Sequence, residues 1–547
     1  MIIYRYKFAL GYTGPGQYRR YCMKCLTRYA VVGIIFAGLM FNGVAGEPTV
    51  VEKKLDNGLT ELRVVSDTSN NIATYKVDLK NHHYPATNDS GIIKQWENYR
   101  FGGFFCFNDN QFAGTECPKN KDANLYNPTQ LDITGWATTM KNAGMKYAVL
   151  TVRHTSGFLL WDSVTSEFDV AASSNKTDVA GEFVKECRQQ GIAPGFYYCL
   201  WGGTWMPNPN ARAIILAQLH ELATSYGEIS YFWIDMGNWR PGNLSPQEIY
   251  DAIKNEQPNA VVILNQHIQD GRKINYFPTD VMNGEVTVPP VGRHQPFRKV
   301  NGKQCYLPFE FEPVSQRISS RGTTTPLGPV GVWFTYGAGK GFPVSQLIPV
   351  NVLFDWIKQG YDRGTANVLL SLAADHTGKM RPDDVKQLEE LGKMLRKAGL
   401  LEVPKTTVQP VESLALDKPA KASGVWENNI LQYGPEMAFD GDPTTRWGGS
   451  VGSRSGWLKV DLGNETTVSS AVIQEGWDRT RKFSVQYKAG DEWNDAAAGT
   501  TIGEELELKF APVKAQVFRL NITESTDVPT IWEFQLFGPD RCFRARR

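Results

Sequence analysis

A repeated alternation of short apolar runs with amphipathic stretches, between about residues 95 and 400, constrains the fold of this chain more than any other feature. The apolar runs are typical of buried strands and lie at 146–152, 194–200, 231–235 and 260–266. The amphipathic stretches predict helices at 178–190, 211–225, 246–255 and 383–397. Strands that alternate with helices form a parallel sheet, and over about 300 residues a closed barrel is favoured over an open sheet. We therefore predict an α/β fold with a (β/α)8-like TIM barrel.

A second domain is predicted after residue 400, because 547 residues are too many for one hydrophobic core. Short alternating strands, such as 457–462 and 483–487, follow one another between Gly and Asp turns. This pattern predicts an all-β sandwich or jelly roll. The predicted divisions of the chain are a leading segment, the barrel, a linker that contains Pro and Thr, and the sandwich, at 47–94, 95–403, 404–411 and 412–538. In the leading segment, 74–79 is a candidate strand.

The amino-terminal region predicts export. Basic residues up to Arg28 precede an apolar run at 30–41, and small residues follow at 43–46. This is the pattern of a secretory signal peptide over 1–46, and the apolar run is too short to span a bilayer. A start at Met23 would give a signal peptide of the usual length. We expect a secreted or periplasmic protein with no membrane span in its mature form.

Composition narrows the classes of partner. The 58 Lys and Arg residues balance 57 Asp and Glu residues, so the chain lacks the basic excess that is typical of nucleic-acid-binding proteins. No nucleic acid is therefore expected as a partner. The 15 Trp and 22 Tyr residues suit sugar rings, or alternatively a core rich in aromatic residues. Six of the eight cysteines follow the signal peptide, which allows one to three disulfides in an oxidising compartment. No spacing of His or Cys indicates a catalytic metal, and no cofactor is expected for catalysis.

The ends of the predicted strands indicate where chemistry would occur. Active sites of parallel barrels lie at the carboxyl ends of the strands. The predicted strands end near His154, Trp201, Asp235 and Gln266. Asp235 is the most suggestive of these, since it is a carboxylate at the end of an apolar strand, although a helix cap or a structural Asp is the alternative.

Four segments of the barrel region resemble the α-L-fucosidases of glycoside hydrolase family 29. They are YAVLTVRHTSGFLLW at 147–161, GFYYCLW at 195–201, FWIDMG at 232–237 and NVLLSL at 367–372 followed by GKM. The resemblance implies retaining hydrolysis, in which a carboxylate nucleophile forms a glycosyl-enzyme ester that water then cleaves. By the same resemblance, Asp235 is the nucleophile.

The resemblance also implies a carboxylic acid as the general acid and base, and three glutamates are candidates. The segment DVMNGE ends at Glu285, and the segment PFEFE contains Glu310 and Glu312. Both segments resemble motifs of one subgroup of the family. Glu285 is favoured, Glu310 is second and Glu312 is third.

Several positions of the family's sugar pocket are matched. The segment 100–117 resembles the part of the family that contains a sugar-binding Glu, which corresponds to Glu116. The positions that we expect to bind substrate are Glu116, His154, Tyr198, Trp201, Asn108 and Trp233.

The chain also departs from the family within this pocket. Cys106 stands where the family has His, Cys117 where it has Trp, and Thr155 where it has the second His of a pair. A thiol is a weaker hydrogen-bonding group than an imidazole, so the contacts to the sugar differ. We hypothesise a Cys106–Cys117 disulfide, with two buried thiols as the alternative.

The C-terminal region resembles the discoidin, or coagulation factor 5/8 type C, β-sandwich. The segments that carry the resemblance lie at 436–447, 456–463 and 529–537. It implies a structural Ca²⁺ ion held by oxygen ligands, for which Asp442, Thr445 and Glu533 are the candidates. Whether the domain binds sugar or is only structural is left open.

The leading functional hypothesis is an exported, retaining exo-glycosidase that releases α-L-fucose or a closely related sugar from fucosylated oligosaccharides or polysaccharides. The altered pocket favours two alternatives, a catalytically inactive carbohydrate-binding protein and a fucan-directed glycosidase with a different specificity. The glycine-rich segment 336–342 lacks the spacing of a phosphate-binding loop and is interpreted as a plain loop.

Overall fold

A computed structural model describes residues 49–65, 72–79, 82–85, 91–115, 117–201, 210–236, 243–267, 271, 273–289, 296–301, 303–317, 324–325, 328–329, 333–334, 346–403, 412–442 and 444–539. The predicted signal peptide, the linker 404–411, the glycine-rich segment 336–342 and Glu116 lie outside the described residues.

The chain begins with a small antiparallel sheet. Strands β1 (Thr49–Lys54), β2 (Thr60–Val65) and β3 (Ile72–Val77) pair in that order. Leu62, Val64 and Val77 are buried and belong to the same hydrophobic core as the barrel. The candidate strand at 74–79 therefore corresponds to β3, two residues earlier than predicted.

Eight parallel strands form the central barrel. They are β4 (Phe101–Phe105), β5 (Tyr147–Arg153), β6 (Ala193–Cys199), β7 (Tyr231–Asp235), β8 (Val261–Leu264), β9 (Met282–Glu285), β12 (Phe309–Glu312) and β17 (Asn367–Leu372). Their spatial order is β8-β7-β6-β5-β4-β17-β12-β9. Short strand pairs lie in the connections, formed by β10 (Phe297–Val300), β11 (Lys303–Tyr306), β13 (Gln316–Arg317), β14 (Thr324–Thr325), β15 (Gly328–Pro329) and β16 (Gln346–Leu347). The predicted barrel is confirmed.

Helices in this part of the chain are α1 (Gly91–Glu97), α2 (Asn110–Ala113), α3 (Ile133–Ala143), α4 (Val179–Gln189), α5 (Ala211–Thr224), α6 (Pro246–Lys254), α7 (Val350–Asp362) and α8 (Pro382–Lys397). Their starts are set by the sequence. The side chain of Asp178 accepts from the Gly181 amide at the start of α4, and Ser245 and Glu248 form a capping box before α6. The four predicted helices are α4, α5, α6 and α8, each within two residues of its predicted bounds.

The two edge strands of the barrel sheet, β8 and β9, are joined mainly through side chains. A single backbone bond links the Asp280 amide to the Val262 carbonyl at 2.9 Å. The other bonds are donated by backbone amides of β8 and the residues after it, from Val262 to Asp280 Oδ2 (2.8 Å), from Leu264 to Thr279 Oγ1 (3.1 Å) and from Gln266 to Asn283 Oδ1 (2.9 Å). Side-chain oxygens thus replace most of the backbone pairing between β8 and β9 and close the barrel.

Alternate residues of each strand point to opposite sides of the barrel wall. Those that face the helices are mostly aliphatic and form the largest hydrophobic core. Those that face the barrel interior are largely aromatic and include Phe104, Tyr147, Tyr197, Tyr231 and Trp233. Buried carboxyl groups lie among these rings, so the interior of the barrel is polar as well as aromatic.

The C-terminal domain is an antiparallel β-structure of seven strands, in which β18 (Ala420–Ala422) and β24 (Thr530–Phe537) both pair with β20 (Gly456–Glu475). Register shifts in β20 follow Asp461 and Val468. The part before them pairs with β18 and the part after them pairs with β24, while β23 pairs with both parts. The remaining elements are α9 (Ile430–Tyr433), β19 (Trp447–Gly448), β21 (Thr480–Ala489), β22 (Glu492–Gly499) and β23 (Leu506–Ser525). One separate hydrophobic core fills this domain. Among the described residues, no helix is long and apolar enough to cross a membrane.

Candidate active site

The carboxyl ends of β6, β7, β8 and β9 bring together the groups that can perform chemistry. Asp235 is the last residue of β7 and Glu285 is the last residue of β9. Asn265 follows β8, and Trp201 follows β6 by two residues. Because parallel strands end at the same edge, these side chains meet at one mouth of the barrel.

Asp235 is held by three hydrogen-bond donors. Its Oδ1 accepts from Trp201 Nε1 at 2.7 Å and from Asn265 Nδ2 at 3.0 Å. Its Oδ2 accepts from the Tyr197 hydroxyl at 2.7 Å. Burial, followed by the charge of Asp235, raises the pKa of Tyr197, so that this hydroxyl stays protonated and remains a donor. Three donors to one carboxylate fix its orientation at the mouth of the barrel.

Asn265 also joins Asp235 to Glu285. Its Nδ2 lies 3.0 Å from Oδ1 of Asp235 and 3.1 Å from Oε1 of Glu285, so these two oxygens are at most about 6 Å apart. Retaining glycosidases have their two carboxyl groups about 5–5.5 Å apart, whereas inverting enzymes separate them by about 6.5–9.5 Å. The bridge therefore brings one oxygen of each carboxylate within reach of a single amide group, as expected of a closely spaced pair.

The other two candidate acids lie deeper. Glu310 is fully buried, and its two oxygens accept from the hydroxyls of Tyr147 and Tyr231 at 2.5 Å each. Those tyrosines begin β5 and β7, so Glu310 lies near the start of β7, about 13 Å along the strand from its end at Asp235. The prediction of Glu310 as an acid/base residue is therefore not supported by its position.

Glu312 lies between these two levels. It is fully buried and its Oε1 accepts from Trp233 Nε1 at 2.6 Å. Trp233 is itself completely buried, so it contacts Glu312 beneath the site and is not placed to bind a sugar. The expected role of Trp233 is corrected accordingly.

Among the predicted sugar-binding residues, Trp201 and His154 lie at the mouth. Trp201 is 37% exposed while its indole nitrogen donates to Asp235. The imidazole of His154 stacks on Tyr197, with ring centroids 5.6 Å apart. Tyr197 connects His154 to the site, because the Tyr197 hydroxyl donates to Asp235.

Tyr198 and Asn108 are placed elsewhere. Tyr198 points away from the barrel interior, and its hydroxyl donates to Gln218 Oε1 on α5 at 2.5 Å. Asn108 is completely buried and its Nδ2 donates to the Thr151 carbonyl at 3.0 Å. Both predictions of sugar contact are wrong, since each side chain is enclosed within the protein and serves the fold.

The hypothesis of a Cys106–Cys117 disulfide is also wrong. Cys106 is buried, with its sulfur 3.6 Å from Ser371 Oγ, whereas Cys117 is exposed, and no disulfide joins them. Cys106 follows β4 and is enclosed with the barrel's interior aromatic core, which keeps its sulfur away from the exposed loop.

The structure adds three residues that the sequence did not indicate as functional, namely Tyr197, Asn265 and His267. His267 has φ +65° and packs edge-on against Trp201, with ring centroids 5.4 Å apart. Burial lowers its pKa, although Asp235 acts in the opposite direction. Its Nε2 is shielded from solvent and has no hydrogen-bond partner in the described part of the chain. The predicted strand end near Gln266 was the nearest signal for two of these residues.

Comparisons with known proteins agree with this architecture. The family model for α-L-fucosidase matches residues 80–297, and the model for the F5/8 type C domain matches residues 419–534. The chain carries an α-L-fucosidase family domain followed by an F5/8 type C domain. The chain is a glycoside hydrolase, and both predicted resemblances are confirmed.

The individual relatives of this chain are distant in sequence. It is 23% identical over 471 residues to α-L-fucosidase 1 of Arabidopsis thaliana, covering 80% of this chain and 83% of that protein. It is 27% identical over 169 residues to α-L-fucosidase of Dictyostelium discoideum, covering 28% of this chain and 33% of that one. A mutant of a family 29 fucosidase of Ruminococcus gnavus, solved in complex with fucose, has 19% identity and a TM-score of 0.45, covering 84% of this chain and 98% of that one.

Proposed function

We propose that the enzyme is a retaining exo-glycosidase that releases α-L-fucose, or a closely related sugar, from fucosylated oligosaccharides or polysaccharides. The observation that carries the mechanism is the single amide of Asn265 that donates to both Asp235 and Glu285. It holds two carboxylates at a separation suited to a double displacement.

In the first step, Asp235 attacks the anomeric carbon and the bond to the leaving oxygen breaks. Glu285, which is only partly buried, donates its proton to that oxygen as the bond breaks. The product of this step is a glycosyl ester on Asp235 and an alcohol that carries the proton.

In the second step, Glu285 accepts a proton from water, and the water oxygen attacks the anomeric carbon. The ester bond breaks, the carboxylate of Asp235 is restored and the sugar leaves with retained configuration. Trp201, Tyr197 and Asn265 keep donating to Asp235 through both steps, so the leaving carboxylate is stabilised without rearrangement.

We propose Trp201, His154 and His267 as the side chains that bind the sugar. The neutral imidazole of His267 has a shielded Nε2 without a partner among the described residues, and a sugar hydroxyl would satisfy it. This imidazole would replace part of the hydrogen bonding lost where Cys106 and Thr155 stand in the chain. Glu116 remains a further candidate.

Two variants and two leaving groups test this mechanism. Wild type should hydrolyse an aryl α-L-fucoside, and Asp235→Ala should abolish turnover. Glu285→Ala should cost about 10²–10⁴-fold with a poor leaving group and much less with dinitrophenol, which leaves without protonation. Equal losses with both leaving groups would exclude Glu285 as the general acid. Failure of wild type on every fucosylated or sulfated glycan would favour an inactive binding protein, and turnover of fucans alone would favour the fucan-directed alternative.

The F5/8 type C domain carries an exposed aromatic surface that we propose as a carbohydrate-binding platform, formed by Trp477, Trp532, Arg446 and Tyr433. Trp477 is 56% exposed and lies 6.2 Å from the ring of Trp532. The guanidinium of Arg446 lies 5.5 Å, 5.3 Å and 4.8 Å from the rings of Trp477, Trp532 and Tyr433. Trp477 has φ +68°, a strained conformation for a residue with a side chain, and such strain is found at binding loops.

The same domain has a candidate site for Ca²⁺. Glu533 is buried and its Oε1 has no partner among the described residues, and burial with the charges of Asp440 and Asp442 raises its pKa. A bound cation would give Glu533 Oε1 a partner and would offset the repulsion between Glu533 and the two aspartates. The hydroxyl of Thr445 donates to Asp440, which leaves Asp442 and Glu533 as the remaining candidates. Among the described residues, no group of three or more His, Cys, Asp or Glu is placed to hold a metal ion, so backbone carbonyls or water would supply the other ligands.

We therefore propose Ca²⁺ as a structural ion of this domain. Added Ca²⁺ should raise the Tm of the domain's unfolding transition in wild type and not in Glu533→Gln. We also propose that the protein is exported, and amino-terminal sequencing of secreted material should find a cleavage near Ala45 or Gly46.

A further inference from the structure

A column of polar side chains lies in the barrel interior beneath Asp235 and Glu285. It arises because alternate residues of a strand face the same side. The members at successive levels are Tyr231, Trp233 and Asp235 on β7, Asn283 and Glu285 on β9, and Glu310 and Glu312 on β12. Glu312 and Glu285 are also register partners on adjacent strands.

The amide of Asn265 has only one orientation that satisfies its neighbours. Its Oδ1 accepts from the backbone amide of His267 at 2.8 Å, and a backbone amide can only donate. Its Nδ2 therefore faces Asp235 and Glu285, and its two hydrogens suffice for the two carboxylates. The separation of the catalytic pair depends on where this one side chain lies.

Asn283 is oriented in the same way, and its amide holds Asn265 in place. Its Oδ1 accepts from the backbone amide of Gln266 at 2.9 Å, which directs its Nδ2 into the barrel. From there Nδ2 donates to Asn265 Oδ1 at 2.9 Å and to Glu312 at 3.1 Å. A continuous chain of hydrogen bonds thus runs from Glu312 through both carboxamides to the catalytic carboxylates.

Glu312 is anchored at the lower end of this chain. Its Oε1 accepts from both Trp233 Nε1 and Asn283 Nδ2, at 2.6 Å and 3.1 Å. Its backbone carbonyl accepts from the Val286 amide at 3.0 Å, directly after Glu285. Val286 has φ +48°, an outlier for a β-branched residue, and strain of this kind persists only where the surroundings hold it.

We propose that Glu312 is a positioning residue, which acts through Asn283 and Asn265 to hold Asp235 and Glu285 at the separation required for double displacement. The role rests on the proposed function, since it assumes that these two carboxylates are the catalytic pair. Glu312 is completely buried, and the two carboxamides connect its side chain to the reacting groups by hydrogen bonds.

The neutral form of Glu312 suits this role. Burial, then the charges of Glu310 and Glu285, raise the pKa of Glu312 well above its ordinary value, which favours its neutral form. Burial also raises the pKa of Glu310 to about 7, while hydrogen bonds from Tyr147, Tyr231 and Glu312 act in the opposite direction. Glutamine reproduces a neutral side chain whose Oε1 accepts from both Trp233 and Asn283.

Four variants test the proposal with an aryl α-L-fucoside as the probe. Glu312→Gln should keep kcat within about threefold of wild type, whereas Glu312→Leu and Asn283→Ala should lower kcat about 10- to 100-fold with little change in KM. Both damaging variants should also move both limbs of the pH–rate profile to higher pH, because a displaced Asn265 donates less well to Asp235 and Glu285, and this favours protonated carboxyls. Glu221→Gln is the control, a buried carboxyl on α5 that accepts from Trp161 and Ser163 outside this column, and should leave kcat and the pH profile unchanged.

Each outcome decides between the proposals. An unshifted pH profile in Asn283→Ala and Glu312→Leu, with Asp235→Ala inactive, would overturn the role of Glu312 while leaving the proposed mechanism intact. Wild-type turnover that persists in Asp235→Ala would overturn the mechanism and this role with it. Tm and near-ultraviolet circular dichroism report folding. If Glu312→Leu and Asn283→Ala both fail to fold while Glu221→Gln folds, Glu312 serves folding and the positioning role is rejected.

Discussion

Asn265 has two amide hydrogens, and each one satisfies a carboxylate that the proposed reaction uses. Carboxamides suit this position because they donate without adding charge, so Asp235 remains a nucleophile and Glu285 can alternate between acid and base. The side chains that hold the catalytic pair are therefore uncharged carboxamides.

A buried carboxyl beside the pocket makes stability depend on pH at the level of one residue. Burial raises the pKa of Asp109 to about 7, while the Ser156 hydroxyl donates to its Oδ1 at 2.6 Å. In the unfolded chain the same carboxyl loses its proton near pH 4. The folded state therefore binds the proton more tightly, and its stability falls as pH rises from about 4 to 7.

Asp109→Asn removes this ionisation and keeps an acceptor for Ser156. We expect the Tm of the variant, relative to wild type, to increase between pH 4.5 and pH 8, as measured by differential scanning calorimetry. Asp491→Asn, at a fully exposed site, is the control and should show a constant difference. A constant difference for Asp109→Asn as well would contradict the assignment.

Sequence identified Asp235 because a carboxylate ends an apolar strand, but it misjudged the neighbours whose direction depends on strand parity. Tyr197 and Tyr198 are adjacent and both aromatic, so no local signal shows which one faces the barrel interior. In the structure Tyr197 donates to Asp235 and Tyr198 donates to Gln218. The bridging role of Asn265 depends on three strands at once and has no local signature.

Among the elements, the junction of β8 and β9 depends most on individual side chains. Asp280 is completely buried and accepts from the Val262 amide at 2.8 Å, from the Tyr250 hydroxyl at 2.6 Å and from Lys254 Nζ at 2.8 Å. It thus joins α6 to both edge strands. Its carboxylate stands in for a backbone carbonyl of a neighbouring strand.

Asp280→Ala should therefore destabilise the barrel by about 3–5 kcal/mol, because it leaves Lys254 buried without its carboxylate. Urea unfolding followed by tryptophan fluorescence measures this change. Asp362→Ala removes the partner of Lys358 in an exposed pair and should change stability by at most about 0.5 kcal/mol. Comparable losses in the two variants would show that the closure does not depend on Asp280.

Helices and barrel strands could be predicted because apolar periodicity and caps are local, as at Ser245 and Asp178. The C-terminal strands were harder, since β20 runs for 20 residues through register shifts that local alternation does not reveal. The prediction at 457–462 corresponds only to the start of β20. Bulges of this kind are set by pairing partners far away in sequence.

At the scale of the whole molecule, the proposed function divides the work, with hydrolysis in the barrel and retention of the polymer in the F5/8 type C domain. We expect Trp477→Ala to weaken retention on an immobilised fucosylated polysaccharide without changing kcat/KM for a small aryl fucoside. Retention is measured by affinity electrophoresis. Trp493→Ala is the matched control, because this ring also lies beside an arginine, 4.0 Å from the Arg519 guanidinium. Equal retention by wild type and Trp477→Ala would assign the domain a structural role.

The central claim is that a fucosyl ester forms on Asp235. The most direct measurement is peptide mapping by mass spectrometry after reaction with 2-deoxy-2-fluoro-α-L-fucosyl fluoride, whose fluorine slows hydrolysis of the ester. We predict a single 2-fluorofucosyl adduct on the peptide that contains Asp235, formed in step with loss of activity. An adduct on another carboxylate, or turnover of fucosides with no adduct at all, would contradict the proposed mechanism.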